Sequence, residues 1–134
     1  MSIIAVGVSW WNRAMLRPLL AQIGDGRVGF LDDVGVARTL ARRTAARLVV
    51  WASKLDPETE LAIRAEGVDL TLIEDGFLRS VGLGAGLARG GAYVLDRSGI
   101  YYDASRPSDI EIALETANLR QEEIVRAAAL LAAI

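Results

Sequence analysis

Residues Ser2 to Val8 form a short apolar run rich in β-branched side chains, a pattern that predicts a buried strand. From Asn12 to Ile23 the apolar positions Met15, Leu16, Leu19, Leu20 and Ile23 recur at helical spacing, and Gly24 and Gly26 stop the run. Pro18 lies inside and is expected to kink or divide that helix. Arg27 to Leu31 reads as a second strand, Val34 to Arg43 as a helix, and Arg47 to Trp51 as a third strand. Asp56 and Pro57 then open a helix: a capping carboxylate, a proline in the first turn, and Glu58 and Glu60 placed against the helix dipole. It ends near Gly67, and Val68 to Ile73 is a fourth strand.

Strands that alternate with helices in this way predict a parallel sheet of about four strands with helices on both faces, a Rossmann-like α/β domain. The rhythm breaks after Glu74. Residues 76–91 hold six glycines without periodicity and read as a loop. Ala92 to Asp96 and Ile100 to Asp103 flank Arg97-Ser98-Gly99, which predicts a β-hairpin appended to the sheet. Ser108 and Glu111 form a capping box for a helix reaching about Ala117, and Leu119 or Gln121 opens a last, alanine-rich helix. Its apolar face (Leu130, Leu131, Ile134) runs to the final residue and reads as a cut end or a docking surface.

The 134 residues suit one domain, large enough for a core without staples. A net charge of −2 argues against a nucleic-acid partner. With neither cysteine nor histidine, the chain has no thiolate nucleophile, no Ser-His-Asp triad and no Cys or His metal site. Its sole lysine, Lys54, does not follow a glycine loop of the P-loop kind. No apolar run reaches the roughly 18 residues of a membrane span, and no basic leader precedes the first strand, so a cytoplasmic address is expected.

Candidate chemistry gathers after the fourth strand, because ligands of open parallel sheets bind outside the carboxyl ends of the strands. Glu74 and Asp75 sit at such an end, and alternation turns them to opposite faces. Either both merely terminate the strand, or one is a general acid or base while the other caps the next turn. Gly82-Leu83-Gly84-Ala85-Gly86 fails as a dinucleotide fingerprint: no strand directly precedes it, and Arg89 replaces the third glycine. A mobile or anion-cradling loop, with Arg79 and Arg89 as carboxylate or phosphate forks, suits it better. Tyr101, Tyr102, Asp103 and Arg106 combine rings, a carboxylate and a guanidinium; they suit sugar recognition, or else are core tyrosines beside a cap. Of Trp10 and Trp11, one is expected in the core and the other at a ligand cleft or partner surface, next to Arg13. Arg38, Arg42 and Arg43 read as a solvated helix face.

Glu74-Asp75-Gly76-Phe77-Leu78-Arg79-Ser80, Gly82-Leu83-Gly84, Asp96, Gly99-Ile100-Tyr101-Tyr102-Asp103-Ala104 and Arg106-Pro107-Ser108, in this order and spacing, resemble the capsule polysaccharide biosynthesis family. Its members are similar to the retaining β-Kdo glycosyltransferases that build the linker between lipid and capsule. Val6 to Arg13 and Val49 to Lys54 extend the likeness over nearly the whole chain. The resemblance implies two Rossmann-like halves (a GT-B-like arrangement) with the active site between them, a CMP-Kdo donor as the only cofactor-like molecule, no metal, and a lipid-linked glycan acceptor. It identifies this sequence with the N-terminal, acceptor-side half. The family's downstream Gln-Thr…Asp motif, which carries the proposed nucleophile, and its CMP-binding half have no counterpart here, so the isolated chain is expected to be inactive. Other implied partners are that nucleotide-binding half and capsule assembly proteins at the inner membrane, to which the protein would be peripheral. Where members carry Pro-Pro-Leu-Ser, this chain has Arg89-Gly90-Gly91-Ala92.

By the same resemblance Glu74, with Asp75, supplies the acid/base function. Arg79, Ser80, Tyr101, Tyr102, Asp103 and Arg106 bind and orient the sugar acid or acceptor, as do Trp11 and Arg13. Glu74 is expected to matter for chemistry rather than folding, with Asp75 the more structural of the two. The alternative is a non-catalytic module of capsule biosynthesis or export that binds a glycan or a partner.

Overall fold

Strands that are apolar at every position, not at every second one, need cover on both faces of their sheet. That is how this chain folds. The computed structural model describes residues 1–77 and 91–133. Strands β1 (Ile3–Val6), β2 (Val28–Leu31), β3 (Arg47–Trp51), β4 (Leu70–Asp75) and β5 (Tyr93–Asp96) form one sheet in the order β2-β1-β3-β4-β5. The first four are parallel, and β5 runs antiparallel to β4. On one face, Leu16 and Leu20 of helix α1 (Trp10–Gln22) pack with Ile3, Ala5, Val49 and Ile73. On the other, Ala37 and Ala41 of α2 (Val34–Thr44) and Ile63 of α3 (Pro57–Ala65) cover Ile4, Val6, Leu48, Val50, Leu70 and Leu72. The parallel sheet with helices on both faces is as the sequence predicts.

Several boundaries differ, each for a local reason. Helix α1 starts two residues early, at Trp10, and continues through Pro18 without dividing. The carbonyl that proline leaves without its helical donor belongs to Ala14; Ala14 and Pro18 are both exposed, so the gap faces solvent and the helix need not break there. Asp56 caps α3 as expected, its Oδ1 accepting the Thr59 N–H at 2.8 Å. Strand β4 runs on through Glu74 and Asp75, which pair with Val94 and Tyr93 of β5, so the two carboxylates lie within the sheet and not beyond it.

The predicted hairpin does not form. Only its first half is a strand, and that strand joins the sheet beside β4. Asp96, fully buried, accepts the N–H groups of Ser98 (3.0 Å) and Gly99 (2.8 Å) on Oδ1 and that of Asp109 (2.8 Å) on Oδ2. The carboxylate thereby curls the chain into a side-chain-stabilised turn, and Ile100 drops into the core instead of pairing with β5. Tyr101 and Tyr102 consequently lie in a turn and do not alternate across a strand. Helix α4 (Asp109–Thr116) follows with the expected capping box, Ser108 N–H donating to Glu111 at 2.8 Å and Glu111 N–H to Ser108 Oγ at 3.2 Å. Helix α5 (Gln121–Leu131) buries no residue, leaving Ile124, Val125, Leu130 and Leu131 exposed. Among the described residues, no helix is long and apolar enough to cross a membrane.

Asp96→Ala would remove the acceptor of three N–H groups, that of Gly99 buried and those of Ser98 and Asp109 partly so, and is expected to lower stability by about 1–3 kcal/mol. Asp96→Asn, which keeps one acceptor oxygen, should lose less. Urea unfolding of both variants checks the order.

Candidate functional site

The strand order reverses between β1 and β3, the position in a doubly wound sheet where a crevice opens at the carboxyl ends. Gly7 follows β1 there with φ +77°, and a Cβ on it would lie 2.9 Å from that of Trp51. Only glycine brings the two strand ends this close. Across the gap, Lys54 Nζ donates to the Gly7 carbonyl at 2.9 Å. Lys54 closes a single 3-10 turn, Ala52–Lys54, that caps β3.

Next along the edge is Glu74, on the α3 face of the sheet and 8% exposed. Its Oε2 accepts the Ser53 N–H at 3.1 Å and its Oε1 accepts the Asp75 N–H at 3.1 Å, and its charge acts on the neighbouring Tyr102 phenol. Glu74 therefore ties β4 to the turn after β3. The expectation that it matters for chemistry alone needs correcting, because both oxygens also carry backbone donors. Asp75 faces the α1 side, beside Tyr93. The following Gly76 serves close approach and not a left-handed turn: its N–H donates to Ala92 O at 2.9 Å, and a Cβ would lie 2.9 Å from that of Ala92.

Tyr101 closes over the end of β4, its hydroxyl donating to the Asp75 carbonyl at 3.1 Å and its ring meeting Phe77 at a tilt and Tyr102 edge to face. Tyr102 is half-exposed and stands near Glu74. Burial first, and the Glu74 charge second, push its pKa from 10.0 up to about 12. Asp103 accepts the Ser105 N–H at 3.0 Å, which with the Ser105 hydroxyl and the Arg106 charge holds its carboxyl below the usual range. Arg106 reaches to Glu60 on α3. These groups form one cluster along the β3–β4 ends.

Trp11 and Arg13 belong to the opposite flank. Trp11 is half-buried and meets Trp10 edge to face at 5.9 Å. Trp10 is the exposed one of the pair. Arg13 donates to the Val8 carbonyl at 3.2 Å, pairs with Asp32 and lies over the Phe30 ring, fastening α1 to the β1–β2 ends. Arg79 and Ser80, like Gly82 to Gly86 and Arg89, lie outside the described residues. Sequence reasoning missed Ser53, Lys54, Glu60 and Arg64. Ser53 acts through its backbone N–H and Lys54 through its bond to the Gly7 carbonyl; Glu60 reads in sequence only as an acid against the helix dipole, and its i,i+4 bond to Arg64 carries no sign of the third partner, Arg106. Among the described residues no group of three or more carboxylates is placed to hold a metal. The cluster offers a carboxylate with a phenol beside it, rings, and a guanidinium: the means to accept a hydroxyl proton and to hold a sugar.

The family model described as capsule polysaccharide biosynthesis protein matches residues 47–131. The capsule polysaccharide modification protein LipA of Neisseria meningitidis serogroup A is 30% identical over 118 residues, covering 88% of this chain and 16% of LipA. The lipopolysaccharide-processing protein LpsZ of Rhizobium meliloti is 33% identical over 114 residues, 81% of this chain and 25% of LpsZ. Among solved structures, the beta Kdo 2,7 transferase KpsC of Thermosulfurimonas dismutans superposes with a TM-score of 0.70 at 29% identity, over 97% of this chain and 41% of KpsC. The chain thus spans a quarter or less of these curated relatives and under half of that structure.

Glu74→Gln retains one acceptor oxygen and turns an amide N–H₂ toward a donor, so a stability loss of about 1–3 kcal/mol is expected in thermal melts. The Tyr102 phenol should ionise late in an alkaline absorbance titration, and Glu74→Gln should bring it earlier. With a pKa raised from 10.0 to about 12, its contribution to stability is complete below pH 10 and is lost as pH rises through 12. Tyr102→Phe should flatten that alkaline fall.

Proposed function

This chain belongs to the capsule polysaccharide biosynthesis family, and on that premise we propose that it forms the acceptor-side half of a retaining glycosyltransferase that moves Kdo from CMP-Kdo to a lipid-linked glycan. The observation that carries this reading is Glu74, held at the carboxyl end of β4 against Tyr102 in a chain that superposes on a β-Kdo transferase. A retaining transfer divides the work between a nucleophile that links to the sugar and a base that takes the proton of the acceptor hydroxyl. Glu74 takes the second part, with Tyr102 steadying its carboxylate. The resemblance assigns the nucleophile to a Gln-Thr…Asp motif that these 134 residues do not contain, so the donor side of the reaction is assigned outside them. A lipid-linked acceptor would bring the protein to the cytoplasmic surface of the inner membrane.

One observation favours a second reading. Both Glu74 oxygens accept backbone N–H groups, as they would in a scaffold that binds glycan without transforming it.

Transfer from CMP-Kdo to a glycolipid acceptor, measured in a protein of the relatives' length that carries this sequence, separates the two. Under the catalytic reading, Glu74→Gln lowers kcat by a factor of about 100 or more at a temperature where melts show the variant folded. A loss no larger than the unfolded fraction accounts for supports the binding module. The isolated chain is expected to give no transfer above background.

A further inference from the structure

The turn that follows β3 grips more than its own strand. Residues Ala52–Lys54 make one 3-10 turn, closed by the Leu55 N–H on the Ala52 carbonyl at 3.1 Å. A turn this short has little stability of its own, so its place depends on what holds it. Ala52 and Leu55 hold its two ends by packing against the core on the α3 face. Ser53 and Lys54, between them, are exposed and are held by two bonds to other strands. Towards β4, the Ser53 N–H donates to Glu74 Oε2 at 3.1 Å. Towards β1, Lys54 Nζ donates to the Gly7 carbonyl at 2.9 Å. Gly7 leaves room for that second bond. A Cβ there would lie 3.3 Å from Lys54 Cδ and 3.6 Å from Lys54 Cβ, so the lysine stem lies across the space that the glycine leaves open. Among 15 cationic side chains, Lys54 is the only lysine. An ammonium on a flexible stem suits one carbonyl, whereas the planar fork of arginine suits paired acceptors. The residue type thus agrees with the bond it makes.

We infer that Lys54 is a positioning residue for Glu74: by holding the turn to the end of β1, it places the Ser53 N–H that aims the Glu74 carboxylate. The inference deepens the reading above and rests on it for what that carboxylate does. Gly7, Lys54, Ser53 and Glu74 form a strut across the carboxyl ends of β1, β3 and β4, which are neighbours in the sheet. The strut acts on one oxygen. Glu74 Oε1 is held by the Asp75 N–H of its own strand, at 3.1 Å, so that bond follows β4 wherever β4 goes. Only the Oε2 bond refers the carboxylate to the neighbouring strands, and Lys54 stands one residue from its donor. A general base must lie within hydrogen-bond reach of the proton it takes, and a misplacement of about an ångström is enough to slow a reaction severely. Lys54 works through Ser53 and not on the acceptor hydroxyl itself.

Amide hydrogen exchange on the 134-residue chain tests the strut independently of transfer. Lys54→Met keeps most of the stem and removes the donor; Lys54 is exposed, so the melt should not move. The Ser53 amide should exchange at least about 10-fold faster in this variant, while those of Val50 and Leu72 keep their rates. The chain has no cysteine, so Lys54→Cys supplies a single thiol, and alkylating it with bromoethylamine restores an ammonium at lysine length. The alkylated protein should regain slow Ser53 exchange, and the unalkylated one should not. In a protein of the relatives' length, Lys54→Met should lower kcat about 5-fold or more and leave KM within about 2-fold of the parent. Unchanged Ser53 exchange, faster exchange at Ser53, Val50 and Leu72 alike, no recovery on alkylation, or a raised KM with kcat unchanged would each overturn the assignment. A Ser53 response combined with transfer insensitive to Glu74→Gln would remove the catalytic reading and leave the strut standing. Glu74-dependent transfer that Lys54→Met does not slow would do the reverse.

Discussion

Asp96 exchanges water for three backbone amides in the interior, and the whole β4 side of the molecule rests on that exchange. An ionised carboxylate is tolerable in such a place only when donors surround it. Here the donors come from the residues that follow β5 and from the first turn of α4. The same contacts that solvate the charge therefore dictate the path of the chain. Ile100 is drawn into the core, and the following turn is carried across the carboxyl end of β4. Tyr101 then reaches the Asp75 carbonyl, Tyr102 reaches Glu74, and Arg106 reaches Glu60 on α3. Three contacts from three positions thus follow from one buried anion several residues upstream.

Glu74 and Glu60 present the same physical problem solved differently. Glu74 is stabilised by dipoles, the N–H groups of Ser53 and Asp75. Glu60 is stabilised by cations, the guanidiniums of Arg64 and Arg106. The first solution ties a strand to the turn beside it, and the second ties a helix to the segment that crosses its flank.

The strands and the helices that cover them were legible because their signals are local: continuous apolar runs, Asp56 before Pro57, Ser108 before Glu111. The place of Glu74 at the carboxyl edge of the sheet was legible because the apolar run that ends at Ile73 marks where the fourth strand stops. The hairpin misreading arose where a long-range bond overruled a local pattern. Ile100 to Asp103 has the composition of a strand, but Asp96 makes its bonds to Ser98, Gly99 and Asp109, and nothing in the spacing reveals that they converge on one buried carboxylate. Arg13 was misplaced for a similar reason. It stands beside two tryptophans in sequence, yet Val8, Asp32 and Phe30 take up its guanidinium. Glu60 reads in sequence only as a first-turn acid against the helix dipole, and nothing local announces that Arg106 reaches it from another element.

Because β5 runs antiparallel to β4, the chain departs from the sheet and re-enters it at the same edge. Gly76 and Ala92 are hydrogen-bonded to each other at that doorway. Joining the two stems fixes the closure once, and each doubling of the intervening length then adds only about 0.6 kcal/mol of closure entropy. A change in the number of residues that join the stems would therefore cost the sheet little, so this doorway lets the length of the joining segment vary while the strands on either side keep their register.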